Sequence, residues 1–408
     1  MLGQRFFCLT RQMVLRPSCR STRLLHRFGL GISCAVLAFL VINSRIDGGE
    51  QKWVWTKEVA DTSGRSMSLA ADAEGNVHMS YGAAEGGLKY AFRPAGPNSK
   101  WFAMVLGGGV AYTNLKVDAQ NNPHICSTYL SLPLRYFHYD GKNWTSQEIA
   151  PEDTNAVPLA CSVAISSDGT PRLSWYRLVS GEHMYAHLRY AELREGAWMM
   201  RTVDYDMQTG KWNSMILDSQ GNPIISYDAF VKGLMKIGRW NGTEWAISVV
   251  DSRGAHGTDY SLGMGSSVVM DAKGFIHVVY YSDSELRHAW KDENSWKVEV
   301  VDRITPTGAA TDYRSSILVD RDGILHVSYE DFGVLKHAYW DGTAWRVEVI
   351  ARNGLSSSRF SAMTIDSTQN ILYIAYTDPI DKSLKVAVGR KVEPLAEDHD
   401  SSKKEGKN

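Results

Sequence analysis

The chain has 408 residues, with 44 Lys and Arg against 45 Asp and Glu, 13 Trp and 19 Tyr. That charge balance excludes a basic nucleic-acid face as the main design. Five cysteines, three of them in the first 34 residues, exclude a disulfide-built scaffold.

Residues 1–45 hold seven Arg and no acid, so the rest of the chain is mildly acidic. Within them, "FGLGISCAVLAFLVI" at 28–42 is an uninterrupted apolar run. A basic flank followed by an apolar core is the pattern of a secretory signal or an N-terminal anchor. The run is shorter than the ~20 residues of a full span, and no small-residue cleavage site follows it. An uncleaved anchor with the body outside the cytoplasm fits best, as the positive-inside rule requires. An Arg-rich, acid-poor leader also suits a mitochondrial presequence. Residues 1–49 are therefore set apart as a leader. Residues 50–390 read as one domain, and 391–408, "KVEPLAEDHDSSKKEGKN", as a polar disordered tail.

The body repeats itself. A turn of the form Asp-x-x-Gly, or a near relative, recurs at Asp72, Asp118, Ser166, Asp218, Asp271, Asp320 and Asp366. A short apolar strand precedes each turn, such as "SILV" before Asp320, and a second follows, such as "ILHVSY". A third, "LKHAYW", leads through a tight "DGTA" turn to a fourth, "WRVEVI". Four strands per repeat of about fifty residues predict the blade of a β-propeller. The fold is thus all-β, with seven blades of four antiparallel strands. A Trp opens the fourth strand at Trp101, Trp144, Trp198, Trp245, Trp296 and Trp345, and the seventh repeat lacks one. Trp53 and Trp55 have the spacing of a fourth strand without its own blade. The N-terminal strand is therefore predicted to complete blade seven, since an open blade edge leaves backbone groups unpaired.

The repeats serve as an internal alignment. His78, His124, His277 and His326 share one position on four different blades, so they cannot converge on an ion; they are expected to be structural hydrogen bonders between blades. The turn aspartates are expected to cap their own turns. Asp283, Asp331 and Asp378 recur after the second strand and are expected to be structural. "DRDG" at 320–323 has too few oxygen ligands for a calcium loop. Cys126 and Cys161 fall in neighbouring repeats and are expected to be buried free thiols, with a disulfide as the alternative. No metal or cofactor is expected.

Departures from the repeat mark the candidate site. Arg65, Arg314 and Arg359 precede the inner strands of blades 1, 6 and 7, which are consecutive once the ring closes. Tyr313 neighbours Arg314, and other blades place Tyr112, Lys211 and Trp212 there. Guanidiniums gathered at one channel mouth suit a carboxylate or sulfate; the alternative is a rim of salt bridges to acids such as Asp61 or Asp312. The longest inter-strand segments, 176–190 and 251–265, belong to the same mouth and supply His183, Tyr185, His256 and Tyr260 as candidate catalytic residues.

The unit "S-x-h-x-D-x-x-G-x-x-H-h-S-Y…L-x-x-A-x-W-D-G-x-x-W" resembles the repeats of sialidase-like, BNR-type propellers over all seven blades. That resemblance implies a propeller in which three Arg hold a substrate carboxylate; Arg65, Arg314 and Arg359 would be their counterparts, with Tyr313 or Tyr112 nearby. The strict Ser-x-Asp-x-Gly-x-x-Trp box is absent, and sialidases have six blades. The "WDGxxW" turn also resembles that of propeller lectins, and some seven-bladed polysaccharide lyases use His and Tyr. Two functions follow as expectations: binding of an acidic glycan or a protein partner at the channel mouth by a tethered propeller, or a carbohydrate-active enzyme acting on anionic sugars.

Overall fold

A computed structural model of the chain describes residues 53–129, 132–149, 156–179, 185–253, 262–292, 295–306, 312–352 and 358–392. They form seven antiparallel sheets of four blade strands each, a seven-bladed β-propeller. Blades 1 to 6 cover 65–107, 112–149, 156–204, 214–251, 264–303 and 316–352. Blade 7 takes three strands from 358–391, and its fourth is Trp53–Asp61, paired antiparallel to Leu384–Lys391 from Trp53↔Lys391 onward. A short piece, Asp312–Arg314, is added in parallel to the inner edge of blade 7. No helix among the described residues is long and apolar enough to cross a membrane; the apolar run at 28–42 lies outside them.

Burial follows strand position. Second strands such as Val77–Ala83 and Leu325–Asp331 are buried at every residue, because neighbouring sheets cover both faces. The outermost strand Phe102–Gly107 is largely exposed. Each turn is held by its aspartate: Asp72 Oδ1 accepts from the N–H groups of Glu74 and Asn76, and Asp118, Asp218, Asp271 and Asp320 repeat the arrangement.

The recurrent histidines work within their own blades. His78 Nε2 donates to Asp72 Oδ2 (3.1 Å) and Nδ1 accepts from the Tyr90 hydroxyl (2.7 Å). His124 pairs likewise with Asp118 and Tyr136, and His326 with Asp320 and His337. The between-blade role expected of them is therefore wrong. Six residues separate each turn acid from its histidine, and the hairpin folds that spacing back on itself.

Other side chains do bridge the blades. On blades 1 to 5 the residue four places before the turn reaches a backbone N–H of the next blade: Ser68 accepts from Leu115 (3.0 Å), Asn114 from Val163 (2.9 Å) and Ser162 from Met215 (3.0 Å). Ser214 and Ser267 do so more loosely, and Thr364 accepts from Ala71 to join blade 7 to blade 1. A second set runs from the second strand of one blade to the inner strand of the next, pairing Ser80 with Thr113, Ser174 with Asn213, Ser226 with Ser266 and Ser328 with Ser361. Between blades 2 and 3 those two places are Cys126 and Cys161, which form a disulfide across 6.3 Å of Cα separation. The expectation of free thiols is overturned: a covalent bond stands where four other interfaces use a hydrogen bond. Closing its loop of 35 residues stabilises the fold by about 3–4 kcal/mol on the chain-entropy account.

Candidate functional site

The inner strands of all seven blades surround a central channel of about 340 Å³, lined by small polar and aliphatic side chains together with Lys116 and Arg314. Its mouth, where the inner strands begin, is spanned by side chains from opposite blades. Arg314 donates from Nη1 to the carbonyl of Thr113 on blade 2 (3.2 Å), and its guanidinium lies 5.0 Å from the Phe360 ring. Tyr112 and Trp212 meet edge to face at 6.1 Å. Trp212 is buried among Tyr281, Val279 and Tyr329, with Lys211 Nζ 4.8 Å above its ring. Contacts thus link Arg314 to the strand of Tyr112, Tyr112 to Trp212, and Trp212 to Lys211.

Arg65 opens the inner strand of blade 1 and is exposed. It lies opposite Gly82, where an added Cβ would come 2.8 Å from Val110 and 3.5 Å from the Arg65 stem. The parallel pairing of Asp312–Arg314 with blade 7 makes Tyr313↔Arg359 and Arg314↔Phe360 Cα partners. The backbone therefore brings Arg314 and Arg359 side by side at the inner edge of blade 7, which adjoins the blade that carries Arg65. The rim acid Asp61 is engaged elsewhere, accepting from Tyr81 (2.5 Å) and Lys89 (3.1 Å). Burial raises its carboxyl, but those bonds prevail and hold it below the usual range. The same tyrosine–acid–cation set recurs at Tyr227–Asp204–Lys236, Tyr280–Asp251–Arg287 and Tyr329–Asp302–Lys336. Asp331 and Asp378 are likewise held by Lys336 and Lys385, as the repeat implied.

Of the catalytic candidates, His183, His256 and Tyr260 lie outside the described residues. Tyr185 is exposed, 5.5 Å from the ring of His187, which is 6.2 Å from the exposed Tyr205. His187 Nδ1 donates to the carbonyl of Asp206 (3.2 Å), so that proton is fixed and Nε2 is left as an acceptor. The sequence reasoning passed over His187, although it stands two residues from Tyr185 on the same strand.

It also passed over Asp228. This carboxyl is fully buried at the mouth end of blade 4's second strand. Oδ1 accepts from the Trp212 N–H (3.2 Å), and Oδ2 has no hydrogen-bond partner among the described residues. Burial pushes its pKa up to about 6, against the pull of the Trp212 N–H and Lys211. The corresponding places on the other blades hold Gly82, Thr128, Tyr176, Tyr281, Glu330 and Tyr376, so the departure test had the information to find it.

One His/Asp group has donors within 4.8 Å of one another: Asp118, His124 and His138. Two of them are blade 2's turn clamp. His138 stacks on His124 at 4.3 Å in the place that Phe92, Trp290 and Tyr339 fill elsewhere. Packing accounts for the group.

These features define a seven-bladed β-propeller with an aromatic and cationic channel mouth. No protein-family model and no curated protein matches the sequence. Among solved structures, the chain is similar to the BP39L lectin of Burkholderia pseudomallei, with a TM-score of 0.54 and 12% identity over 84% of this chain and 98% of the lectin. It is similar to an ulvan lyase of polysaccharide lyase family PL25, bound to -[GlcA(1-4)Rha3S]-, with a TM-score of 0.52 and 12% identity over 82% and 95%. It is also similar to the Aleuria aurantia lectin in complex with Fucα1-6GlcNAc, with a TM-score of 0.50 and 15% identity over 72% and 98%. At these identities the likeness is one of fold.

Proposed function

We propose that this chain is a carbohydrate-binding propeller, held outside the cytoplasm by its N-terminal apolar segment, that takes an acidic glycan at its channel mouth. The observation that supports it most is the gathering of the strands bearing Arg65, Arg314 and Arg359 on consecutive blades at one mouth, beside Tyr112 and Trp212. Guanidiniums grip carboxylate and sulfate oxygens with paired hydrogen bonds. The lectin neighbours, and the lyase solved with a uronate- and sulfate-bearing sugar, agree with a glycan ligand. The Cys126–Cys161 disulfide agrees with an oxidising compartment. BNR-type ancestry would explain the repeat unit. On a glycan array, Arg65→Ala is expected to weaken binding of uronate- or sulfate-bearing glycans about tenfold, the scale of one lost charge-assisted contact. Its melting temperature should stay near that of the parent, because Arg65 is exposed. Unchanged binding would remove Arg65 from the site.

Asp228 favours a second function, an enzyme on anionic sugars. Its Oδ2 is buried beside the channel mouth with no hydrogen-bond partner among the described residues. Burial raises the carboxyl's pKa to about 6, so it keeps a proton in part near neutrality, as a general acid reached by a local opening would need. Asp228→Asn is then expected to abolish release of new reducing ends or unsaturated products from a bound glycan without loss of binding. Binding with no turnover in the parent protein would leave the lectin function alone.

A further inference from the structure

At four blade interfaces the Trp that opens a fourth strand donates its indole N–H to the preceding blade. The acceptor is always the residue three places after that blade's own Trp. Trp101 donates to Glu58 (3.0 Å), Trp345 to Glu299 (2.8 Å), Trp55 to Glu348 (3.2 Å) and Trp198 to Gln147 (2.8 Å). Between blades 3 and 4 the acceptor's place is taken by Arg201, which has no acceptor atom. Trp245 Nε1 is buried with no hydrogen-bond partner among the described residues, as is Trp296 Nε1 at the next interface, where the shorter Ser248 holds the acceptor's place. An unmet buried donor costs about 1–3 kcal/mol.

The same interface opens into a groove of about 810 Å³ along the outer wall, lined by Arg189, Arg201, Tyr205, Trp240 and Trp245. That volume is within the range of small-ligand sites. Arg201 lies 4.8 Å over the Trp240 ring, and no carboxylate pairs with it among the described residues. The acids of the groove wall, Asp204 and Asp206, are taken by Lys236 and Lys232. Glu244, which precedes Trp245, also lines the groove and is exposed. Tyr205, 78% exposed, and Trp240 offer ring faces of the kind that sugars stack on.

We infer that this groove is a second carbohydrate site, distinct from the channel mouth, which binds a uronic acid: the ligand's carboxylate takes the place that Glu58, Glu299 and Glu348 fill at the other interfaces. It would accept from Trp245 Nε1 and pair with Arg201, while the sugar ring lies against the aromatic wall. One absent side-chain carboxylate thus accounts for the orphaned indole, the unpaired guanidinium and the open groove together.

The test titrates the full chain with methyl β-D-glucuronide and methyl α-D-galacturonide, and with their neutral counterparts, methyl β-D-glucoside and methyl α-D-galactoside. Tryptophan fluorescence and saturation-transfer NMR report binding. At least one uronide should bind saturably, about tenfold or more tighter than its neutral partner, the worth of a charge-assisted pair. Arg201→Glu, which rebuilds the acceptor, should raise the melting temperature and, placed in the Arg65→Ala background so that the mouth contributes little, abolish the remaining uronide binding. Arg201→Gln, following Gln147, should act the same way should the first variant fold poorly. Arg65→Ala weakens the mouth's share of the signal, but saturable uronide binding to the groove should persist in that variant. Absence of uronide binding, equal affinity for the neutral glycosides, or retained binding in both Arg201 variants overturns the site. Loss of binding in Arg65→Ala alone assigns the uronide to the mouth and also overturns it.

Discussion

Removal of residues 53–61 is expected to leave a chain that does not reach the native fold, seen as loss of the cooperative melting transition and aggregation on expression. The strand makes a full ladder with blade 7, but its side chains bind three blades. Trp53 is 2% exposed and packs edge-on against His326 and His337 of blade 6, at 5.4 and 5.9 Å. Trp55 donates to Glu348 and lies on Gly389, where any added Cβ would sit 2.6 Å from the indole. Glu58 receives both Nε and Nη2 of Arg93, at 2.9 and 3.0 Å, as well as the indole of Trp101, all on blade 1. Asp61 receives Tyr81 and Lys89. Arg93 is 1% exposed, and stranding such a charge alone costs about 3–5 kcal/mol. With the lost ladder and two lost indoles, the deletion exceeds the roughly 5–15 kcal/mol that holds most domains folded. Glu58→Ala isolates the blade 7–blade 1 clamp and should cost about 3 kcal/mol in urea unfolding. A deleted chain that melts like the parent would mean that the ring does not depend on its closing strand.

That closing strand was legible in the sequence because the Trp spacing counts blades without any alignment to other proteins. Much of the rest was legible only in part, for a common reason. Repetition reveals which positions are equivalent, but not which equivalent positions face each other across an interface. The place eight residues after a turn and the place five before the next turn hold Ser80 and Thr113, or Ser328 and Ser361. Once those pairs are known to touch, Cys126 and Cys161 must touch as well; the sequence alone offered two thiols 35 residues apart. Arg201 is similar. Its departure from Glu58, Glu299 and Glu348 is plain when fourth strands are aligned, yet it means little until the next blade's indole is seen to need an acceptor. The histidines erred the other way. Their partners lay in the same hairpin, six residues off, and the ring was invoked where a turn sufficed. At the mouth, spacing placed Arg65, Arg314 and Arg359 on neighbouring blades. It could not foresee that Arg314 reaches across the channel to Thr113, or that Trp212 is buried.

Acidification from pH 7 to pH 4.5 is expected to remove several kcal/mol of stability, well before the carboxylates of the turns titrate. Burial holds His124, His277 and His337 at about 4, against an ordinary 6.5. Neighbouring histidines add to the effect, His138 for His124 and His288 for His277. Between those values the unfolded chain binds protons that the folded one refuses, so stability rises with pH and falls as pH is lowered through that window. Each such histidine forfeits up to about 3 kcal/mol across it. Asp72, Asp118 and Asp320 lie below their ordinary value, so their contribution is lost only at lower pH, in the same direction. Asp228 has the opposite sign. Its folded value of about 6 exceeds the ordinary 3.8, so the folded state takes up the extra proton and acid relieves a penalty. At pH 5 these three histidines and Asp228 together account for an uptake of about two protons on unfolding, and His78 and His288, also lowered by burial, add to it; calorimetry in buffers of different ionisation enthalpy measures the total. Asp228→Asn removes the opposing site and should raise the uptake by about one. Uptake near zero at pH 5, or no change on Asp228→Asn, would show that the buried histidines or the buried acid titrate as they do in the unfolded chain.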